Sequence, residues 1–363
     1  MGRAQIRPDI ARLPAYKAGQ RADPGGFKLS SNENPFGPLP SVLKVIAEAA
    51  AHINRYPDPH SQELVTAIAE RFKVAPEWVA VGTGSVAVCQ QIVSVVAGPG
   101  DEVVFAWPSF EAYPIVTGIA GATAVPVPLR ADAAADVPAM TAAVTERTRA
   151  IFLCTPNNPT GTVVHHDDVC ELLAAVPDDV LVVIDEAYVE FVDDPRAVRS
   201  LELLAAHENI AVLRTFSKAY GLAGLRVGFA LAHAHTAEAL RKTAIPFGVS
   251  GVAQRAAVAS LADEPELLER VDHLRAERSR VVTGLRAAGW WVPEVQGNFI
   301  WLATAEQTQQ VAEVLRAAGI IVRAFPGVGI RATIAEAAAN GDLLAALAGG
   351  PEGTFTRLRT TLD

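Results

Sequence analysis

Ala211-Val212-Leu213-Arg214-Thr215-Phe216-Ser217-Lys218-Ala219-Tyr220-Gly221-Leu222-Ala223-Gly224-Leu225-Arg226-Val227-Gly228-Phe229-Ala230-Leu231 sets two apolar runs, 211–214 and 227–231, around a polar, glycine-rich segment. Neither run alternates apolar with polar residues, so each reads as a strand buried on both faces of a mostly parallel α/β sheet. Sheets of that kind put their ligands where the strands end. At this end stands Lys218, one of only six lysines (Lys17, Lys28, Lys44, Lys73, Lys218, Lys242) in a chain whose basic charge is mostly arginine. Its small and hydroxyl-bearing neighbours suit a solvated surface lysine poorly and an imine well, because burial lowers a lysine's pKa until the amine can lose its proton. Thr215, Ser217 and Arg226 add hydroxyl donors and a fixed cation of the kind that holds a phosphate. A lysine beside a phosphate cradle points to pyridoxal phosphate. An isolated Ser-Lys pair would be an ordinary loop lysine, so the rest of the chain must supply the other parts of such a site.

The 363 residues are enough for two domains and a large core, and with half of them hydrophobic and a fifth charged they describe a compact enzyme, not a disordered chain. A net charge of −9 argues against nucleic acid as a partner, since phosphate backbones call for clustered Lys and Arg. No apolar run reaches the roughly 18–20 residues of a membrane span. The first residues, Met1-Gly2-Arg3-Ala4-Gln5-Ile6-Arg7-Pro8, lack the apolar core of a signal peptide. Cys89, Cys154 and Cys170 are few and show no CxxC spacing, so a reducing cytoplasm is expected.

The strand pattern extends both ways from the opening segment. Residues 78–81, 101–106, 150–154 and 180–184 read as further buried strands, with 86–96 a helix after the turn at Gly82–Ser85. Beyond Pro246 the character changes. A long amphipathic helix is expected over 266–288, opened by Pro265, then strands at 298–302 and 319–322 around a helix at 307–318. The expected organisation is a large cofactor-binding domain (38–245), a smaller α+β domain (246–348) joined by the N-terminal segment (1–37), and a mobile tail (349–363) rich in Gly, Thr and Arg.

Several strand ends carry chemistry. Val182-Val183-Ile184-Asp185-Glu186-Ala187-Tyr188 closes an apolar strand with a carboxylate able to face a pyridine nitrogen and keep it protonated, so that the ring becomes an electron sink. On its own Asp185 reads equally as a helix N-cap. Tyr188 can hydrogen-bond a ring oxygen. Cys154-Thr155-Pro156-Asn157-Asn158-Pro159-Thr160-Gly161 follows another strand; its loop is fixed by prolines and glycine, and the Asn amide is a donor, although Asn-Pro-Thr-Gly alone is simply a turn. Gly82-Thr83-Gly84-Ser85-Val86-Ala87 lies between strand and helix, where backbone N–H groups receive phosphate. It also matches G-x-G-x-x-A, but the next strand ends Val103-Val104-Phe105-Ala106-Trp107-Pro108 without the acid a dinucleotide ribose requires. Phe110 can stack on a cofactor ring, and Arg323 and Arg331, either side of Pro326-Gly327-Val328-Gly329, can clamp a carboxylate. His165-His166 has no Cys and no acid at ligand spacing beside it, and is read as a solvated turn, not a metal site.

Taken in this order, these segments resemble the fold-type I, class II aminotransferases over about residues 13–340, with histidinol-phosphate aminotransferases and the related aromatic amino acid (phenylalanine) aminotransferases as the nearest branches. Ser31-Asn32-Glu33-Asn34-Pro35-Phe36-Gly37-Pro38 and Asn54-Arg55-Tyr56-Pro57-Asp58 look like their N-terminal motifs. The resemblance implies that Lys218 is the Schiff-base lysine and proton carrier and that Asp185 pairs with the pyridine nitrogen. It implies Asn158 and Tyr188 at the ring oxygen, and Thr83, Gly84, Ser85, Thr215, Ser217 and Arg226 at the phosphate. Phe110 would stack on the ring in place of a common Tyr. Tyr56 would reach a neighbouring subunit's phosphate, which makes the expected assembly a homodimer with shared sites. Arg331 would hold the substrate carboxylate, with Tyr16, Asn34, Phe247 and Arg323 also near the substrate. The run Arg331-Ala332-Thr333-Ile334-Ala335-Glu336-Ala337-Ala338-Ala339-Asn340 departs from the family in lacking Pro-Glu-Glu before that Asn.

Two features favour the aromatic branch. Acids common after Gly-Ser in histidinol-phosphate enzymes are replaced by Val86-Ala87-Val88-Cys89, and Phe247 stands in the hinge Ile245-Pro246-Phe247-Gly248 where a more polar pair is usual. Burying a substrate phenyl ring is worth about 2–3 kcal/mol, enough to prefer it over a polar side chain by about 30-fold or more. The expected activity is ping-pong transamination of phenylalanine, tyrosine or tryptophan with 2-oxoglutarate, with histidinol-phosphate transamination as the alternative. A decarboxylase or acyltransferase on this fold fits less well with a retained Arg331, and a non-enzymatic binding protein fits less well with the retained Lys218 and Asp185.

Overall fold

The computed structural model describes residues 4–15, 19, 22 and 24–348; Tyr16 and the tail 349–363, both subjects of expectations above, lie outside them. The strands are β1 (Phe27–Leu29), β2 (Val79–Gly82), β3 (Glu102–Trp107), β4 (Thr123–Pro128), β5 (Thr148–Cys154), β6 (Leu181–Asp185), β7 (Ile210–Thr215), β8 (Gly228–Ala232), β9 (Phe299–Leu302), β10 (Ile320–Phe325) and β11 (Gly329–Thr333).

Seven of them form one sheet in the order β2-β8-β7-β6-β5-β3-β4. The run from β7 to β4 is parallel, as the unalternating apolar segments predicted, while β8 lies antiparallel to both β7 and β2. The reason lies in the connection. A parallel return needs a crossover of helix length, but between Thr215 and Gly228 the chain has only a single 3₁₀ turn, Ala223–Leu225, and so folds straight back. Lys218 therefore sits on a tight excursion from the carboxyl end of the sheet, not at the head of a long helix. Every residue of β6 and β8 is buried. β4 carries Pro126 and Pro128, which lack ladder donors, and is accordingly an edge strand.

The second sheet, β1-β10-β11-β9, draws its first strand from the N-terminal segment: β1 runs parallel to β10, with Phe27 opposite Ile320. In the antiparallel pair β10/β11, Arg323 lies directly across from Arg331, so both guanidinium groups leave the same face. The long helix spans Glu264–Ala287, beginning two residues before the expected start. Among the described residues no helix is long and apolar enough to cross a membrane.

Candidate active site

The carboxyl ends of three neighbouring strands converge. Cys154 of β5 pairs with Asp185 of β6, which in turn pairs with Leu213 of β7. On the far side of that edge Glu186 accepts a hydrogen bond from Arg214 at 2.6 Å, an ion pair almost wholly buried, and this ties the ends of β6 and β7 together. A cavity of about 250 Å³ opens above them, lined among others by Ser30, Ser31, Glu33, Ser85, Val86, Phe110, Glu111, Asn158, Asp185, Tyr188, Thr215, Ser217, Lys218, Arg226, Arg323 and Arg331.

Asp185 forms its floor and is not a helix cap. Its Oδ2 accepts from the Tyr113 hydroxyl at 2.6 Å, while Oδ1 is buried with no hydrogen-bond partner. Burial pushes its pKa up to about 6, against the lowering effect of the Tyr113 hydroxyl. Lys218 is pushed the other way, down to about 7, first by burial and then by the positive charge of Arg331. Its Nζ donates to the Ser31 carbonyl at 3.0 Å and stands 5.6 Å from the centre of the Tyr188 ring. Tyr188 Oη accepts from the Asn32 amide at 3.0 Å.

Arg226, Ser217, Thr215 and Ser85 gather at one wall. The Arg226 backbone is left-handed, with φ 56°, which turns its side chain back over the loop so that Nη1 donates to the Ala223 carbonyl at 2.9 Å and reaches Ser217 Oγ at 3.4 Å. Gly84 precedes the helix Ser85–Val96 with φ 84°, and a Cβ there would run into the Arg226 guanidinium. Gly228 is tighter still, since its Cβ would overlap the backbone of Gly84 and Ser85. The result is a cation and hydroxyls facing the free N–H groups of a twelve-residue helix, an anion site in its physics.

At another wall Arg331 is buried, donating to Asn158 Oδ1 and to the Ser30 carbonyl. Arg323 gives both oxygens of Glu111 a hydrogen bond, at 2.8 and 2.7 Å. Not every expected residue reaches the cavity. Asn34 braces the lysine loop instead, donating to the Ala219 carbonyl at 3.0 Å. Thr83 and Phe247 face a separate small cleft of about 120 Å³. Tyr56 is 84% exposed and lies against Phe247, ring centres 4.7 Å apart. Tyr113, Glu111 and Asn32 were not read as site residues. The only sequence signal for Tyr113 was its place three residues after Phe110, at the first turn of the helix Ala112–Ala120.

A family model for aminotransferase class I and II matches residues 24–357. The chain belongs to that family. It is 53% identical to an aromatic amino acid aminotransferase of Streptomyces avermitilis over 93% of this chain and 94% of that one. It is 54% identical to one of Thermobifida fusca over 91% and 92%. A crystal structure of histidinol-phosphate aminotransferase from Sinorhizobium meliloti in complex with pyridoxal-5'-phosphate superposes with a TM-score of 0.87 at 30% identity, covering 100% of this chain and 99% of that one.

Aminotransferases of this family act on amino and 2-oxo acids. The cavity of this one fits a pyridoxal phosphate. The orphaned Asp185 Oδ1 wants a hydrogen-bond donor, which a protonated pyridine nitrogen supplies. The cradle kept open by Gly84 and Gly228 wants an anion. Lys218, close to neutral at physiological pH, is an amine ready to meet an aldehyde.

Proposed function

We propose that the chain is a pyridoxal-phosphate-dependent aminotransferase that passes the amino group of phenylalanine, tyrosine or tryptophan to 2-oxoglutarate, giving the aromatic 2-oxo acid and glutamate. The observation that carries the substrate class is the 53% and 54% identity, over more than nine-tenths of the chain, to relatives bearing that name.

When bound, pyridoxal phosphate supplies an aldehyde that captures the amine and a protonated ring that takes up the electron pair left by the α-proton. Lys218 would move that proton: with its pKa near 7, Nζ would take it from the substrate Cα and pass it to the cofactor carbon that carries the nitrogen, and would make the reverse transfer onto the 2-oxo acid's C2 in the second half-reaction. Asp185 Oδ1 keeps the ring nitrogen protonated, and Asn158 and Tyr188 meet the ring oxygen. Phe110 covers one ring face. Gly84, Ser85, Thr215, Ser217 and Arg226 hold the phosphate. Arg331 grips the substrate carboxylate from a buried position, where a guanidinium clamp is strongest. Val86 makes the wall dry on the substrate side, and Arg323 lines the same cavity.

Histidinol-phosphate transamination is the second reading, supported by the Sinorhizobium structure. Arg323, the cation it would need for a substrate phosphate, is already held by both oxygens of Glu111, which supports the aromatic reading. The deciding experiment compares kcat/KM for phenylalanine and histidinol phosphate with 2-oxoglutarate as acceptor. A preference of about 30-fold or more for phenylalanine is expected; the reverse preference would move the enzyme to the other branch.

The same proposal includes a homodimer in which Tyr56 reaches the partner's phosphate, and a division into a large domain (38–245) and a smaller one (246–348) joined by residues 1–37. Pairing of β1 with β10 supports the last point. The three free thiols suit a reducing cytoplasm.

A further inference from the structure

We propose that Tyr113 is a positioning residue for the cofactor: its hydroxyl saturates one oxygen of Asp185 so that the other is presented, charged and correctly aimed, to the pyridine nitrogen. The inference rests on the pyridoxal phosphate reading above and adds a residue to it.

The geometry is specific. Tyr113 is completely buried, and its hydroxyl donates to Asp185 Oδ2 at 2.6 Å while Oδ1 is left without a partner. A carboxylate with one oxygen fixed by a buried donor cannot rotate freely, so the free oxygen has one direction. The Tyr113 ring is itself wedged, with ring centres 4.7 Å from Phe152, 5.8 Å from Phe105 and 5.5 Å from Phe110, the last edge-on at 89°. Its amide donates to the Phe110 carbonyl at 3.0 Å, and its carbonyl accepts from Thr117 at 2.7 Å. Tyr113 thus buttresses both the carboxylate beneath the ring and the aromatic proposed to lie on it.

The other titratable groups around Asp185 are Cys89 of the helix Ser85–Val96, Cys154 of β5, and Glu186 and Tyr188 on its own strand end. Among the described side chains on neighbouring elements, Tyr113 is the one that hydrogen-bonds Asp185.

Tyr113→Phe removes the hydroxyl and keeps the ring. The test titrates apoenzyme with two probes: pyridoxal phosphate, and its analogue with carbon in place of the ring nitrogen. Wild type is expected to bind pyridoxal phosphate about 10-fold or more tightly than the variant, because a hydrogen bond to a charged group is at stake. For the carbon analogue, which offers Asp185 no N–H, the two proteins should agree within about twofold. The acid limb of pyridoxal phosphate binding should also move to higher pH in the variant, since a donor to the charged carboxylate is lost. Equal affinity of both proteins for pyridoxal phosphate, or an equal loss with both probes, would overturn the positioning role, the latter by reducing Tyr113 to packing. Failure of the wild-type apoenzyme to bind pyridoxal phosphate at all would instead overturn the cofactor reading itself.

Discussion

Asp185 is held at a cost to the empty protein, and that cost is measurable. Its pKa stands near 6 in the fold against an ordinary 3.8, so between these values the folded chain keeps a proton that the unfolded chain has lost. Stability is therefore greatest below about pH 4 as far as this group is concerned, and declines as pH rises through 6. Lys218 has the opposite arithmetic. With its pKa lowered from 10.5 to about 7, its penalty is complete below pH 7 and relieved as pH climbs toward 10.5. At pH 7.5 both penalties are felt. Asp185→Asn keeps an acceptor for Tyr113 and removes the buried charge, so the apoprotein should gain about 2–3 kcal/mol there. Its decline in stability between pH 4 and 6 should also be shallower than the wild type's, the remainder belonging to Glu190, whose carboxyl burial pushes up to about 7. The same change should weaken pyridoxal phosphate binding at least about 10-fold, because an amide does not hold a proton on the ring. Denaturant unfolding of apoprotein across this pH range, with a cofactor titration alongside, checks both halves. A variant that lost stability instead of gaining it would show that the buried charge supports the fold and is not held at a cost.

At the scale of elements, the site depends on how closely β8 passes behind the turn into the helix Ser85–Val96. A Cβ on Gly228 would meet backbone atoms of Gly84 and Ser85, which have no side-chain freedom with which to yield, whereas one on Gly224 would meet nothing within 4 Å. Gly228→Ala should therefore cost about 2 kcal/mol or more by overpacking and loosen the phosphate cradle. Gly224→Ala in the same loop should stay within about 0.5 kcal/mol. Urea midpoints of the two variants decide it, and equal midpoints would mean that the turn can retreat. This contact also marks the limit of what could be read from the sequence. The buried parallel strands and the candidate site residues at their ends, Asp185, Thr215 and Lys218, were legible because a strand covered on both faces has no polar positions until it stops. The reversal of β8 was not, since apolar composition carries no direction. β4 was hidden by Pro126 and Pro128, and β11 by Arg331, a buried cation that reads in sequence as a surface residue. Tyr113 and Glu111 went unread for a different reason: their partners, Asp185 and Arg323, lie 72 and 212 residues away and meet them only in the folded chain.

For the whole molecule, the decisive residues are those that the single chain leaves outside the cavity. Tyr56, Ile53, Ile245 and Phe247 are 84%, 74%, 68% and 41% exposed, and the Tyr56 ring rests on Phe247 beside the cleft that Thr83 shares. Large apolar side chains kept at a surface next to a phosphate cradle fit a second copy of the chain. If each cradle is completed by the partner's Tyr56, two individually crippled variants should complement one another. Lys218→Ala loses the proton carrier of its own site, and Tyr56→Ala loses a phosphate contact in its neighbour's. In a mixed dimer both defects then fall on one site and leave the other intact. Equal mixing with subunit exchange gives half mixed dimers, each with one good site, so activity should recover to about a quarter of wild type from two proteins that are each far below it. Recovery to no more than the average of the two parents would mean that each subunit builds its site alone, and the exposed Tyr56 and Phe247 would then need another explanation.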